Sequence, residues 1–295
     1  MVMEPLLFQQ YAAQYFALEN RRSTLLRDTR GLLRLIRATR SVRPGPLGHA
    51  IGSTHAARSP WLDLGCGSGE HVAVLRRAGL NVGGIDRSAA MIGVARERFP
   101  GLPVRAAAIE ALPDADSPRL SLAGAFSLFG TFNYYQSRSE LRNALRAVSA
   151  ALRPGGRLIL EMWQRDSYAA LLERSGQDLA DGAGLLATQR EQRIAPRNGG
   201  ELVRQRTVRV LAGAPEDPPR FAEIEPTYSG ASQANTDVHR LRLSDPDELT
   251  QIAGELGLRL CADVAADLSG QPLARASAGM LLVFAKDAGN VGGQG

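Results

Sequence analysis

The apolar stretch Trp61-Leu62-Asp63-Leu64 runs straight into Gly65-Cys66-Gly67-Ser68-Gly69 and then into the helix-forming residues from Glu70. A strand that ends in three alternate glycines turns sharply: residues 65, 67 and 69 can take positive φ, and a ligand can approach the backbone with no Cβ in its way. N–H groups at the following helix start favour an anionic group such as a carboxylate or phosphate. A tight strand-to-helix corner needs the same glycines, so the turn alone leaves two readings. Asp86 narrows them. It ends the next strand, Val82-Gly83-Gly84-Ile85, 17 residues past Gly69, where a carboxylate on the neighbouring strand tip can accept both hydroxyls of a ribose. The pair points to a nucleotide-like ligand.

Strand and helix patterns alternate from this point: strand 61–64, helix from Glu70, strand 82–85, helix from Ser88, strand 104–107, strand 120–128, helix 139–152, strand 157–162. Such alternation implies parallel strands joined by right-handed crossovers. After Trp163 the pattern changes to extended segments at 185–194, 202–211, 220–228 and 238–243, separated by turn chemistry such as Asn198-Gly199-Gly200, which suggests antiparallel pairing. A helix over 246–256 and strands over 259–265 and 280–286 follow. Ahead of the main unit, 4–18 and 20–41 read as two helices, and Pro44, Gly45, Pro46, Gly48 and Gly52 as a connector. The expected organisation is an N-terminal helical cap and connector over 1–58, a main domain over 59–287 with an antiparallel insert at 185–243, and a disordered Gly-rich tail at 288–295.

Several classes are set aside. No run of about 18 apolar residues occurs and no secretory leader is visible, so a cytoplasmic protein without a membrane span is expected. Cys66 and Cys261 have no C-x-x-C partner and no His cluster, which argues against a disulfide framework or any metal site. The net charge of +5 is local: residues 1–60 hold nine Arg against three acidic residues, and the remainder balances. Arg27, Arg30, Arg34 and Arg37 share one helical face, opposite Leu25, Leu26, Leu32, Leu33 and Ile36. That face is either simply solvated or a nucleic-acid or membrane contact. With no Asn-Pro-Pro-Tyr-type tetrapeptide or RNA-binding appendage beside it, nucleic acid is not an expected partner.

Residues 62–69 resemble the first motif of the class I S-adenosylmethionine-dependent methyltransferases, and Gly84-Ile85-Asp86-Arg87-Ser88 with Met91 resembles their second. Glu110-Ala111-Leu112-Pro113 is similar to the turn beside the adenine, and Leu152-Arg153-Pro154-Gly155-Gly156-Arg157-Leu158 to the turn leading into the fifth strand. The four motifs stand in family order over 59–163, a weaker match runs from Leu241 through Lys286, and the small-molecule members, such as those acting on amino sugars, are the most similar. The resemblance implies an α/β fold: a Rossmann-like, seven-stranded, mostly parallel sheet with helices on both faces, an N-terminal helical segment and an antiparallel β insert after the fifth strand. It implies S-adenosylmethionine as cofactor and a small-molecule acceptor as partner.

Position by position, the resemblance places Gly65, Cys66 and Gly67 on the methionine part, Asp86 on the ribose, Arg87 and Met91 at the adenine faces, and the Ile109 backbone N–H on the adenine edge. Asp63 either supports the glycine turn and the amino end or merely caps its strand. Ser127 and Phe129 at the fourth-strand exit join the cofactor set. Asn133 and Tyr134 wall the acceptor. Tyr15, with Tyr11 and Phe16, either folds over the cofactor or anchors its helix. Two departures imply weaker cofactor binding: Ala108 stands where many relatives carry an Asp for the exocyclic amine, and Leu122-Ala123-Gly124 lacks a common acidic residue.

Methyl transfer is an in-line displacement, so alignment and exclusion of water are the largest contributions a protein can make. A hydroxyl or carbon acid would also need a general base. His239 and Glu161 are the candidates, ahead of His71, His49 and His55, although each His is equally readable as polar surface. Phe129 and Phe132 either face the sulfonium or pack in the core. The insert is the candidate for substrate selection or for a homodimer contact. The resulting expectation is methyl transfer to an N or O atom of a small molecule. The alternatives are a non-catalytic cofactor-binding or assembly module, suggested by Ala108 and Ala123, and an RNA methyltransferase.

Overall fold

A computed structural model describes residues 8, 12, 25–38, 60–112, 121–166, 183–186, 192–194, 202–211, 221–229, 234–236, 238–261, 265–274, 277 and 279–287. In chain order these form α1 (Leu25–Ala38), β1 (Trp61–Leu64), α2 (Glu70–Arg77), β2 (Val82–Asp86), α3 (Ala89–Arg98), β3 (Val104–Ala106), β4 (Leu122–Ser127), α4 (Arg138–Ala151) and β5 (Leu152–Trp163). There follow β6 (Ala183–Leu186), β7 (Gln192–Ile194), β8 (Leu202–Leu211), β9 (Phe221–Ser229), β10 (Ala234–Thr236), β11 (His239–Arg242), α5 (Pro246–Gly254), β12 (Leu258–Leu260) and β13 (Gly279–Lys286). One-turn 3-10 helices lie at Ile109–Ala111 and Thr131–Tyr134.

One sheet has seven strands in the order β12-β13-β5-β4-β1-β2-β3. Strands β1 to β5 run parallel, and β13 is antiparallel to both neighbours. The Rossmann-like expectation is met. The strand order reverses between β1 and β4, and in open α/β sheets ligands bind outside the carboxyl ends of the strands at that switch point. The sheet is covered on both faces, as parallel sheets require. Leu64, Ile85, Ala125, Leu158 and Leu160 pack under Leu141, Leu145 and Val148 of α4 and Leu249 and Ile252 of α5. Trp61, Val82, Phe126 and Ile159 pack with Val72, Leu75, Ile92 and Ala95 of α2 and α3, and with Leu32 and Ile36 of α1.

Local chemistry sets the helix starts. Ser137 and Glu140 form a reciprocal capping box at α4, satisfying two otherwise unpaired N–H groups. At α5 the Asp245 side chain accepts the Glu248 N–H at 2.7 Å, with Pro246 just inside the helix, where its missing N–H costs nothing.

The insert strands form a second, antiparallel sheet. β8 and β9 pair along their whole length, β10 and β11 share the outer edge of β9, and β6 and β7 share that of β8. Elsewhere the details differ from expectation. β5 begins at Leu152, because a register shift against β4 between Leu122 and Gly124 absorbs Pro154-Gly155-Gly156 into the ladder. β12 ends at Leu260 rather than 265. The buried face of α1 is Asp28, Thr29, Gly31, Leu32 and Ile36, while Leu26 is 62% exposed. Gly31 explains the rotation: a Cβ there would lie 2.5 Å from the Leu268 carbonyl oxygen, so the helix approaches that loop through its glycine. The expected helix over 4–18 and the tail at 288–295 lie outside the described residues, apart from Phe8 and Ala12. Among the described residues no helix is long and apolar enough to cross a membrane.

Candidate active site

The glycine turn is tied to the tip of the neighbouring strand. The N–H groups of Gly65 and Cys66 both donate to the Ile85 carbonyl, at 2.8 and 2.9 Å, and the Gly67 N–H donates to Asp86 Oδ2 at 2.8 Å. Gly65, Gly67 and Gly69 all have positive φ. A Cβ on Gly65 would meet Thr131 Oγ1 and Cγ2 at 2.6 Å, so the glycine is needed where the β4 exit crosses the turn. The other Asp86 oxygen accepts the Ser88 N–H at 2.8 Å. Ser88 in turn caps α3 by accepting the Met91 N–H, and its hydroxyl donates to the Phe8 carbonyl.

Asp63 lies between the tips of β2 and β4. It is 4% exposed, and no described donor reaches its carboxylate. Burial, and after it the charges of Asp86 and Glu70, push its pKa well above the usual carboxylate value. Glu70 is already engaged, accepting the Ser68 hydroxyl at 2.8 Å and pairing with Arg98. Among the described residues, a buried carboxylate with no described donor beside two others is a place where an incoming cation is favoured. The Cys66 thiol, buried in the same turn, is pushed up by burial and then by Asp63, so it stays protonated and is no nucleophile.

On the adenine side of the expected site, Arg87 pairs with Glu110 at 3.3 Å. Glu110 also receives the Tyr135 phenol, whose pKa is raised by burial first and by Glu110 second. Ile109 is buried in its 3-10 turn, and the Ala107 N–H donates to the Asp86 carbonyl at 2.9 Å, fixing the β3 exit against β2. Met91 is buried, 1% exposed, in the first turn of α3, where its N–H donates to the Ser88 hydroxyl oxygen.

At the β4 exit, Ser127 is wholly buried and donates to the Leu64 carbonyl at 2.8 Å. Its side chain ties β4 to β1. Phe129 is the one non-glycine residue with positive φ among those described. Glu161 supports it: Glu161 Oε2 accepts the Phe129 N–H at 3.0 Å and the Glu161 carbonyl accepts the Gly130 N–H at 3.2 Å. The candidate base therefore braces a strained turn. The Phe129 ring faces the His71 ring, with centroids 5.5 Å apart.

Asn133, expected on the acceptor wall, is 0% exposed. Its amide donates to the carbonyls of Trp163 and Arg242 and accepts the Trp163 N–H, so it ties β5 to β11 behind the wall. Tyr134 and His239, expected separately, are brought together: the phenol oxygen and Nδ1 are 2.6 Å apart. Tyr15, Tyr11, Phe16, His49 and His55 lie outside the described residues. Among the described residues no cluster of three metal-type ligands occurs. Residue-by-residue reading missed Phe8, Thr131 and Gln136, which act through contacts distant in sequence. Only the Gly130-Thr131 step, next to a strand end, carried a local signal.

A family model described as Methyltransferase domain matches residues 36–209. No curated protein sequence matches the chain. Among solved structures, the sugar N-methyltransferase KedS8 of a Streptoalloteichus species is similar at 19% identity and a TM-score of 0.64, over 92% of either chain. CalS10, an amino pentose methyltransferase from Micromonospora echinaspora, is similar at 22% identity and a TM-score of 0.61, over 96% of this chain and 99% of its own. An S-adenosylmethionine-dependent methyltransferase from Clostridium acetobutylicum is similar at 14% identity and a TM-score of 0.66, over 95% and 99%. At these identities the likeness is one of fold.

Proposed function

The chain belongs to the Methyltransferase domain family, with S-adenosylmethionine as its methyl donor, and we propose that it methylates the amino group of a small, sugar-like acceptor. The observation that carries the reading is Asp63, a buried carboxylate with no described donor, set beside Asp86 at the switch point of the sheet. That arrangement suits a ligand with cationic groups at one end and ribose hydroxyls at the other. Asp63 and the Gly65–Gly67 turn would hold the methionine part, Asp86 the ribose, and Arg87 with the Ile109 backbone the adenine.

When bound, S-adenosylmethionine supplies a methyl group made electrophilic by its sulfonium. The protein's own contribution is alignment and the exclusion of water. Phe129, held in its strained turn by Glu161, and Tyr134 stand at the β4 exit, where an acceptor would approach. The second sheet, stitched to that exit through β11, is the reading's choice for the wall that selects the acceptor. An amine is favoured over the hydroxyl acceptors the sequence also allows by the likeness to a sugar N-methyltransferase and an amino pentose methyltransferase. The reading places the enzyme in the cytoplasm, in keeping with two unpaired cysteines, and retains the division into an N-terminal cap over 1–58 and a main domain over 59–287.

The test is transfer of label from methyl-labelled S-adenosylmethionine to methyl glycosides bearing a 3- or 4-amino group, beside the matching hydroxy glycosides and bulk transfer RNA. Label in the amino glycosides is the expected result. Label in the hydroxy glycosides or RNA alone would overturn the choice of acceptor.

A further inference from the structure

Beyond the tips of β2 and β3 the two chain segments stay side by side. Asp86 pairs with Ala106 in the ladder, and the Ala107 N–H donates to the Asp86 carbonyl at 2.9 Å, so the residues after 106 leave the sheet beside those after 86. Ile109 and Leu112 then anchor their 3-10 turn in the core with Leu141 and Leu145 of α4. Glu110, between these two buried positions, has its side chain 32% exposed. Its carboxylate is held from two sides. Arg87, next after Asp86, donates from Nη2 to Oε1 at 3.3 Å, and the Tyr135 phenol donates to the same carboxylate from the β4 exit. Tyr135 is itself fixed: it is 8% exposed and set edge-on to Phe132, with centroids 5.5 Å apart. The Arg87–Glu110 pair therefore spans the gap that opens at Asp86, with a buried phenol setting one end of it.

A base that continues from a ribose at Asp86 enters this gap, and an adenine brings one donor to it, the 6-amino group, beside ring-nitrogen acceptors. Among the described residues at the exits of β2 and β3, several acceptors are already engaged. The Asp86 carbonyl accepts the Ala107 N–H, the Ala108 carbonyl the Ala111 N–H at 3.2 Å, and the Ile109 carbonyl the Leu112 N–H at 3.1 Å. The Ser88 hydroxyl accepts from Met91 and donates to Phe8. Ala108 has no polar side chain, and the Arg87 guanidinium has donors only. The Glu110 carboxylate differs, because an ionised carboxylate has about four lone-pair sites and Arg87 and Tyr135 address two of them. We propose that Glu110 is the acceptor for the 6-amino group of the adenine, with Arg87 and Tyr135 as the positioning residues that hold its carboxylate. The premise is the cofactor reading above; the choice of methyl acceptor does not enter. On this assignment the acceptor missing from the side chain of Ala108 is supplied two residues later in the same turn. Adenine is then recognised by a charge-assisted hydrogen bond, stronger than a neutral one.

The test is calorimetry of the full chain with two ligands: S-adenosylhomocysteine and its deamino analogue, in which hydrogen replaces the 6-amino group and nothing else changes. The wild-type chain should bind S-adenosylhomocysteine about 10- to 100-fold more tightly than the analogue, the scale of one hydrogen bond to a charged group. In Glu110→Ala the affinity for S-adenosylhomocysteine should fall by that factor while affinity for the analogue changes less than about threefold, so that the preference disappears. Glu110→Gln keeps an oxygen acceptor without the charge, and its preference should lie between the two. Tyr135→Phe removes one of the two holds on the carboxylate and should narrow the preference, again with little change for the analogue. A residue that merely shaped the turn would weaken both ligands alike. Equal losses for both ligands in Glu110→Ala and Glu110→Gln, or a wild-type chain that binds both ligands equally, would overturn the assignment and leave the cofactor reading standing. A wild-type chain that binds neither ligand would overturn the cofactor reading and the assignment with it.

Discussion

The Asp86 carboxylate accepts the backbone N–H of Gly67 at 2.8 Å, across the gap between the first and second strands. One side chain thereby sets the shape of the glycine turn from the strand tip at which the ribose is proposed to sit. The consequences fall on stability and binding together.

Replacing Asp86 with Ala removes two charge-assisted hydrogen bonds, to Gly67 and to Ser88. Each is worth about 1.5–3 kcal/mol. The variant should unfold at distinctly lower urea, and its affinity for S-adenosylhomocysteine, read by calorimetry, should fall at least about tenfold. Asp86→Asn, which keeps one oxygen acceptor, should lie between it and the wild-type chain.

Asp63→Asn separates stability from function. The folded chain holds the Asp63 proton more tightly than the unfolded chain does. Its stabilising contribution is therefore fully present below the ordinary carboxylate pKa and is lost as pH rises through the raised folded value. That contribution falls away as pH rises above the ordinary carboxylate range, so the asparagine variant without ligand should melt higher than the wild-type chain at pH 7–8 and bind S-adenosylhomocysteine at least about tenfold more weakly. Melting curves from pH 4 to 8 should converge for the two proteins toward the acid end.

Glu161 is distinguished as brace or base by comparing Gln with Ala. The amide oxygen of Glu161→Gln can still accept the Phe129 N–H that Glu161 receives at 3.0 Å, whereas it cannot take up a proton. Methyl transfer to the amino glycosides should stay within about threefold for Gln and fall at least about tenfold for Ala. The loss for Ala is the expected result of releasing a strained turn.

Gly84 is fixed by its neighbour across the turn. A Cβ there would lie 2.7 Å from Cys66 Cβ and 2.8 Å from Cys66 Sγ, with Val72 closing the other side. Gly84→Ala should cost about 1–3 kcal/mol, as overpacking does. Chemical denaturation would show it, and pairing it with Cys66→Gly should recover part of the loss.

What was legible in the sequence was what depends on neighbours along the chain. Alternating glycines after a strand and an acid on the next strand tip are each decided by local sequence, and the sheet follows from the alternation of strand and helix patterns. The buried face of α1 was legible in part: Leu32 and Ile36 are buried and the four arginines exposed as expected, while the burial of Asp28 and Thr29 goes with Gly31 meeting Leu268, far along the chain. The tie made by Asn133 was not legible, because it is defined by a carbonyl 109 residues away. In the candidate site, sequence marked Tyr134 and His239 separately, and only the folding of β11 against the β4 exit made them a pair.

Calorimetry of the full chain with S-adenosylhomocysteine tests the central claim most directly. The account predicts one saturable site per chain, weakened by Asp63→Asn and by Asp86→Ala. It also predicts proton release on binding in the interval between the ordinary carboxylate pKa and the raised value of Asp63, as the ligand's ammonium draws that proton off. Absence of saturable binding, or binding indifferent to both substitutions, would contradict it.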